Sequence, residues 1–197
     1  MRNYLLKDKE YSVAWDIIPS YSQMGPNIIN YVKRLNKYAE ILNTWNDVEI
    51  GCFVTRQKLG DYICDLLDND YNPNTACFAV NKLGKPIGVV ILSPPYDTNV
   101  NLNYIVVDAN KRGHGLATRL LNSVNNNIQT ILNTHTIEEI TALIHKMNIA
   151  SQQAFLKSGY TTKLKSANNK ENNKEMYRVY TCSLRNKENK HNENIMD

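Results

Sequence analysis

The sequence predicts an α/β domain built on a mixed β-sheet. Three observations carry this expectation. Apolar residues recur at three- and four-residue steps in segments of helical length, most clearly after Asn27 and after Arg112. Short apolar runs bounded by glycine, proline and asparagine lie between them, as strands and their turns do. In the second half the two kinds of segment alternate: strand, helix, strand, helix, then two more strands.

Residues 11–18 (Tyr-Ser-Val-Ala-Trp-Asp-Ile-Ile) read as the first strand, with Pro19 and the Gly25-Pro26 pair as punctuation after it. From Asn27 the positions Ile28, Ile29, Val32, Leu35, Tyr38, Ile41 and Leu42 form one helical stripe. A second helix is expected over residues 56–67, where Leu59, Tyr62, Ile63, Leu66 and Leu67 share a face and Thr55 offers an N-cap. Residues 69–74 are turn-like. Residues 75–80 and 86–92 read as strands joined by a hairpin loop with Gly84, and Pro94-Pro95 ends the second. Residues 101–107 form the next strand. A helix lies within residues 112–134, with Leu116, Leu120, Leu121, Val124, Ile128 and Ile131 on one side. Residues 137–144 read as a short strand and residues 148–158 as a helix closed by Gly159. Two further strands follow over 160–164 and 176–184. The stretch 166–175 is polar apart from Ala167, and the tail from Asn186 is polar until Ile195-Met196, so both are expected to be solvated. Without an internal repeat, the expectation is one domain over residues 1–184 and a polar tail over 185–197.

Composition narrows the class. The chain has 197 residues, 42% of them hydrophobic, which suits one domain with a core. Nothing approaches the roughly 18 consecutive apolar residues of a membrane span. The charged start, Arg2, Lys7, Asp8, Lys9 and Glu10, is not followed by the apolar core of a secretion signal. The expectation is a cytoplasmic protein with no membrane partner. The four cysteines, Cys52, Cys64, Cys77 and Cys182, are scattered, so no metal site is expected and the thiols read as free and mostly buried. A net charge of +4, with no concentrated basic stripe, argues against a nucleic-acid partner.

The most informative stretch is Val106-Val107-Asp108-Ala109-Asn110-Lys111-Arg112-Gly113-His114-Gly115-Leu116-Ala117. An apolar strand runs into a polar turn, and two glycines open an amphipathic helix. A helix N-terminus presents unpaired N–H groups and the positive end of the macrodipole, a ready site for a pyrophosphate. The missing Cβ atoms of Gly113 and Gly115 let the backbone approach phosphate oxygens. A Walker A loop needs a Gly-Lys-Ser/Thr ending, which is absent. A dinucleotide fingerprint needs a third glycine where Thr118 stands.

Arg112-Gly113-His114-Gly115-Leu116-Ala117 resembles the acetyl-CoA signature of the GNAT-type N-acetyltransferases, Arg/Gln-x-x-Gly-x-Gly/Ala, at every specified position. Downstream, Asn148-Ile149-Ala150-Ser151-Gln152-Gln153-Ala154-Phe155-Leu156-Lys157-Ser158-Gly159-Tyr160 is similar to the second GNAT signature, Asn-x-x-Ala/Ser, an aromatic, then x-x-x-Gly-Phe/Tyr. The resemblance covers residues 75–184; residues 1–74 share only a strand and two helices with it.

The resemblance implies a GNAT-like single domain: a twisted mixed sheet with helices on both faces and a splayed pair of parallel strands, residues 101–107 and 137–144, holding acetyl-CoA. The pantetheine arm would pair with the main chain of Ile105, Val106 and Val107. The diphosphate would sit on the amides of Gly113, His114, Gly115, Leu116 and Ala117, beside Arg112. Asn148, with Ser151 in the same signature, would hold the arm or a water. A backbone N–H of the first strand would polarise the acetyl carbonyl. The implied reaction is direct attack of a primary amine, on a small molecule or a protein, on the thioester of acetyl-CoA, with no metal. A homodimer is compatible with it.

Two departures bear on catalysis. Phe155 stands where the family often has a tyrosine that protonates the leaving thiolate. Asn101 and Asn103 occupy the strand that frequently carries a glutamate base. Tyr104 is left as a candidate proton donor and His145, at a strand end, as a candidate base. Tyr21, Tyr31, Tyr38, Trp45 and Tyr62 are candidates for an acceptor wall or for core. Asp47, Glu49, Asp61, Asp65, Asp68 and Asp70 make that region acidic. Two other functions compete: a toxin-like enzyme acting on aminoacyl-tRNA, which would want a larger basic face, and a catalytically silent acyl-CoA-binding regulator or interaction module.

Overall fold

The computed structural model describes residues 4–7, 12–45, 58–69, 71, 73–163 and 177–184. In chain order the elements are β1 (Tyr4–Lys7), β2 (Ser12–Ile18), α1 (Ile28–Leu42), α2 (Leu59–Leu67), β3 (Thr75–Val80), β4 (Pro86–Leu92), β5 (Asn99–Val107), α3 (Leu116–Ile131), β6 (Glu139–His145), α4 (Ile149–Lys157), β7 (Thr161–Lys163) and β8 (Tyr177–Ser183). The strands form one sheet in the order β1-β2-β3-β4-β5-β6-β8-β7. Every neighbouring pair is antiparallel except β5 and β6, which run parallel. β1, which the sequence did not announce, pairs with β2. The expected N-cap Thr55, the start at Arg56 and Cys52 lie outside the described residues.

Helices cover both faces, which is why β3 and β4 are buried along their whole length. On one face α3 contributes Leu116, Leu120, Leu121, Val124, Ile128 and Ile131, and α4 contributes Phe155. On the other, α1 and α2 bring Leu35, Tyr38, Leu42, Leu59, Ile63 and Leu67. The middle strand β4 serves both: Val90 and Leu92 face α3, while Val89 and Ile91 face α1 and α2. Trp15, fully buried on β2, donates from Nε1 to Ser123 Oγ at 2.6 Å and so ties that strand to α3. On the opposite face the buried Asp16 carboxylate accepts from Tyr38 Oη at 2.8 Å and lies 3.1 Å from Arg34 Nε.

Helix α2 is capped from a distance. Lys58 before it is extended and its side chain makes no cap. Asn43, just past α1, accepts the N–H groups of Gly60 at 2.7 Å and Asp61 at 3.3 Å, and donates to Asp61 Oδ1 at 2.8 Å. These bonds satisfy first-turn donors that a local cap would otherwise take. They hold the first turn of the helix that begins at Leu59. The helices meet closely enough that a Cβ on Gly60 would lie 2.2 Å from the Ala39 carbonyl oxygen.

Candidate active site

The parallel pair parts after three residues. β5 and β6 are in register at Asn99–Glu139, Val100–Ile140 and Asn101–Thr141. From there β5 stays on β4 through Val107, while β6 stays on β8 through His145. A V-shaped slot opens between them, and at its apex Thr141 Oγ1 hydrogen-bonds Asn101 Oδ1. Past the apex, the groups of β5 that point toward β6 have no ladder partner there and remain available to a ligand's amides.

A bulge shapes the slot wall. Ile91 pairs with Tyr104 but Leu92 pairs with Leu102, so Asn103 is the extra residue on β5. The bulge reverses the facing of the residues after it. Leu102 belongs to the α3/α4 core, whereas Tyr104, two residues on, packs against the α1/α2 core with Val106. Ile105 packs toward α3.

Beyond Val107 the chain makes the turn that opens α3. Asp108 Oδ1 accepts from the Asn110 N–H at 3.0 Å and starts a 3-10 turn over Ala109–Lys111. Arg112 Nε donates to the Val107 carbonyl at 3.2 Å. Gly113 and Gly115 have φ of 81° and 71°, a left-handed conformation that costs other L-residues roughly 1–2 kcal/mol. A Cβ on either would meet nothing within 4 Å, so conformation, and the space itself, set the need for glycine. The first intrahelical bond is Arg119 N–H to the Gly115 carbonyl at 3.1 Å. The amides of Leu116, Ala117 and Thr118 precede it, and no side chain caps them. Arg119 Nη2 holds the His114 carbonyl at 3.0 Å. A 16-residue helix thus begins shortly after the end of β5 with first-turn N–H groups that no side chain caps and with the positive end of its dipole there.

The second signature follows β6 and forms α4. Asn148 caps α4, its Oδ1 accepting the Ser151 N–H at 3.1 Å. His145 Nδ1 accepts the Met147 N–H at 3.2 Å, which leaves the proton of a neutral ring on Nε2. Gln152 is buried and donates to the Lys146 carbonyl at 2.7 Å, while its Oε1 accepts from Tyr180 Oη at 3.2 Å. Phe155 is 2% exposed and packs edge-on to Tyr160 at 4.8 Å. It is part of the core, with no face to the slot. Tyr160 donates to Asn125 Oδ1 at 2.8 Å, and Ser158 Oγ donates to the Ala154 carbonyl at 2.8 Å and lies 3.2 Å from the Thr118 carbonyl. Ser158 thus ties the end of α4 to the first turn of α3, and Tyr160 ties the chain just after it to the middle of α3.

The α1/α2 face reaches the slot through side chains that spacing did not single out as a group. Tyr62 on α2 and Tyr104 on β5 share a hydrogen bond between their hydroxyls, with the rings edge-on at 5.4 Å. Burial, then the bond to Tyr104, pushes the Tyr62 hydroxyl well above the ordinary phenol range. Asn74, 1% exposed, donates to the Leu66 carbonyl at 3.2 Å and accepts from Asn103 Nδ2 at 3.0 Å. Helix α2 is therefore joined to the two consecutive residues 103 and 104 of the bulge. Of the aromatic residues proposed for an acceptor wall, Tyr38 is core, and Tyr21, Tyr31 and Trp45 pack against the same cluster. Among the described residues no group of three or more His, Cys, Asp or Glu side chains is placed to hold a metal ion, and no helix is long and apolar enough to cross a membrane.

The comparisons agree with this geometry. The family profile described as "Acetyltransferase (GNAT) domain" matches residues 31–161, more than half of the chain. No curated protein matches the sequence. Among solved structures, the GNAT domain of S. lividans PAT superposes with a TM-score of 0.61 at 15% identity, covering 93% of this chain and 96% of that one. A spermidine N-acetyltransferase chimera from Vibrio cholerae and hSSAT gives 0.57 at 15% identity, covering 76% and 91%. A GNAT-family protein from Desulfovibrio desulfuricans gives 0.55 at 16% identity, covering 88% and 99%. At such identities these structures speak for the fold, and the profile for the family: the chain belongs to the GNAT acetyltransferases, a family that uses acetyl-CoA.

Proposed function

We propose that the protein transfers an acetyl group from acetyl-CoA to a primary amine, on a small molecule or a protein, by direct attack on the thioester. The observation that carries this reading is the parting of β5 from β6 beside the left-handed glycine turn that opens α3. The residues present fit the coenzyme. The diphosphate suits the amides from Gly113 to Ala117 with Arg112 alongside, because open space and unpaired donors meet there. The amides of the pantetheine arm suit the unladdered side of Ile105, Val106 and Val107. Asn148 and Ser151 fix the start of α4 at the slot's other wall. Acetyl-CoA supplies an acyl carbon activated by its thioester bond.

In the reaction the amine nitrogen bonds to the acyl carbon, the carbon–sulfur bond breaks, and sulfur leaves with the electron pair. The amine loses one proton and the sulfur gains one. An N–H on β5 would polarise the acyl carbonyl. Tyr104 is the proposed donor toward the charge that develops. His145, whose Nδ1 is taken by Met147, presents Nε2 as a donor; service as the base requires that it first give up this bond. The setting we propose is the cytoplasm.

The test is release of free CoA thiol from acetyl-CoA with spermidine, lysine, and peptides bearing free N-termini, together with mass detection of the N-acetyl product. The expected result is thiol release that depends on one class of amine. Coenzyme binding without transfer to any amine would replace this reading with that of a silent acyl-CoA-binding module.

A further inference from the structure

We propose that a cleft at the C-terminal end of α3 binds the alkylammonium group of an organic amine, at a site separate from the coenzyme slot. The inference goes beyond the acetyl-transfer reading and does not depend on it.

The cleft lies where the strands on the β2 side of the sheet end. It takes in about 430 Å³ between the end of β2, α1, the start of β3, the Pro94-Pro95 pair after β4, and residues 130–133 at the end of α3. Ligand sites start at about 300 Å³, so a small molecule has room there. No residue of β5, β6 or α4 lines it. The glycine turn stands at the other end of α3. The 16 residues of that helix, rising about 1.5 Å each, put roughly 24 Å between the two.

The lining selects the charge of the ligand. None of the lining residues is Lys, Arg or His. The end of α3 carries the negative pole of its dipole, and no basic residue in the last turn offsets it. Asp16, 8% exposed, adds a carboxylate to the wall. Its two oxygens are not equivalent. Oδ2 accepts from Tyr38 Oη at 2.8 Å and lies 3.1 Å from Arg34 Nε. Arg34 thus answers the charge from the α1 side, where it packs over the Tyr31 ring, and it is not part of the lining. Oδ1 is buried and has no hydrogen-bond partner among the described residues. A buried carboxylate oxygen without a donor is costly, and an N–H donor arriving through the cleft would remove that cost. Four of the lining residues are prolines, so those stretches of wall bring carbonyls and no backbone donor.

The rest of the lining selects the body of the ligand. Ile17, Tyr31, Ile131 and Leu132 give apolar surface beside the acceptors. An alkyl chain suits that surface, and an ammonium group, with three N–H donors and one positive charge, suits the carboxylate and the helix end. A free amine and a lysine side chain both carry this group, and the test separates them.

The test uses the full chain, isotope-labelled for amide NMR, with CoA at saturation so that the slot is filled and no acetyl group is present. The probes are n-butylamine, charged at neutral pH; n-butanol, its neutral counterpart; N-acetyl-lysine methylamide; and sodium chloride as the salt control. The expected result is saturable shifts of residues 16–19 and 130–133 with butylammonium and none with sodium chloride. Butanol should bind about 10-fold more weakly or worse, the scale of one hydrogen bond to a charged group. Thr130 is exposed on the lining. Thr130→Lys sets a cation beside the cleft at a helix end that favours one, so this variant should fold with an unchanged or higher thermal midpoint and bind butylammonium about 10-fold more weakly or worse. Asp16→Asn should show the same loss. Equal binding of butylammonium and butanol, undiminished binding in either variant, or shifts confined to the slot would overturn the inference. Should Asp16→Asn fail to fold, Thr130→Lys decides alone. Tighter binding of butylammonium than of the lysine derivative supports the site and assigns it to a free amine; the reverse order supports it and assigns it to a lysine side chain. If CoA does not bind, the acetyl-transfer reading fails, and the same titrations without CoA still decide the cleft.

Discussion

On the α3/α4 face the slot is made of main chain: a turn with two left-handed glycines, three uncapped amides at the start of α3, and the unladdered edge of β5. On the α1/α2 face it is made of side chains that meet across long sequence distances, Tyr62 with Tyr104 and Asn74 with Asn103. The difference matches the two tasks proposed for the faces. A diphosphate and two amides are read by any correctly placed peptide group, so the coenzyme side constrains backbone shape. An acyl transfer needs particular functional groups at particular points, so the reacting side constrains residue identity.

The contrast can be broken from either face, and the largest effect is expected in the core. Trp15→Ala should destabilise the fold by about 3–5 kcal/mol, because it empties a large site packed against α3 and strands Ser123. Urea denaturation reads this as a lower midpoint at unchanged slope; an unchanged midpoint would contradict the packing described. Next comes Gly60→Ala. Its Cβ would collide with the Ala39 carbonyl, and both partners are backbone, so α1 and α2 must separate at a cost of about 1–3 kcal/mol or more. Because α2 carries Tyr62, acetyl transfer should fall in this variant while coenzyme binding at the far face survives. Parallel loss of both would show that the faces are not separable. Asn148→Ala should cost about 1 kcal/mol by uncapping α4, measurable as a lower thermal midpoint, and the same substitution to Asp should largely restore it.

A further effect appears at alkaline pH. Burial pushes the Cys77 thiol up from 9.0 to about 12, and burial raises Tyr38, Tyr62 and Tyr160 above the phenol range. A raised folded-state value means that the unfolded chain loses its proton first. This stabilisation is complete below pH 9 and declines as pH rises from 9 toward 12. Thermal melts from pH 7 to 11 should be flat and then fall, and Cys77→Ala should soften the first part of the fall. A midpoint that rises above pH 9 would contradict the burial of these groups.

The two faces also differed in how far the sequence disclosed them. Gly113, Gly115, Asn148 and Gly159 do their work locally, through φ angles, caps and turns, so their spacing marks a strand, a glycine turn and a helix end. Strands β3 and β4 fall where continuous apolar runs between turn residues put them. The part Asn43 plays in holding the first turn of α2 was not legible, because it comes from the end of another helix and no local pattern records a tertiary cap. The bulge at Asn103 escaped for a related reason: alternation within β5 cannot show that one residue is extra without its partner strand. Tyr62 was left between acceptor wall and core because helical spacing reports which face a residue is on and not what its hydroxyl touches. His145 and Tyr104 stood out by residue type, and spacing could not show their partners, the Met147 N–H and the Tyr62 hydroxyl.

The central claim is that the glycine turn before α3 receives the coenzyme diphosphate. Its most direct test is calorimetric titration of acetyl-CoA and CoA into the wild type and into Gly115→Glu. That variant sets a side chain and a negative charge in the open cradle. The account predicts micromolar binding of both ligands by the wild type and a loss of about 100-fold or more in the folded variant, since one displaced charge-assisted contact with added repulsion reaches that scale. Wild-type protein that is folded yet binds neither ligand, or a variant that binds them as well as the wild type, would contradict it.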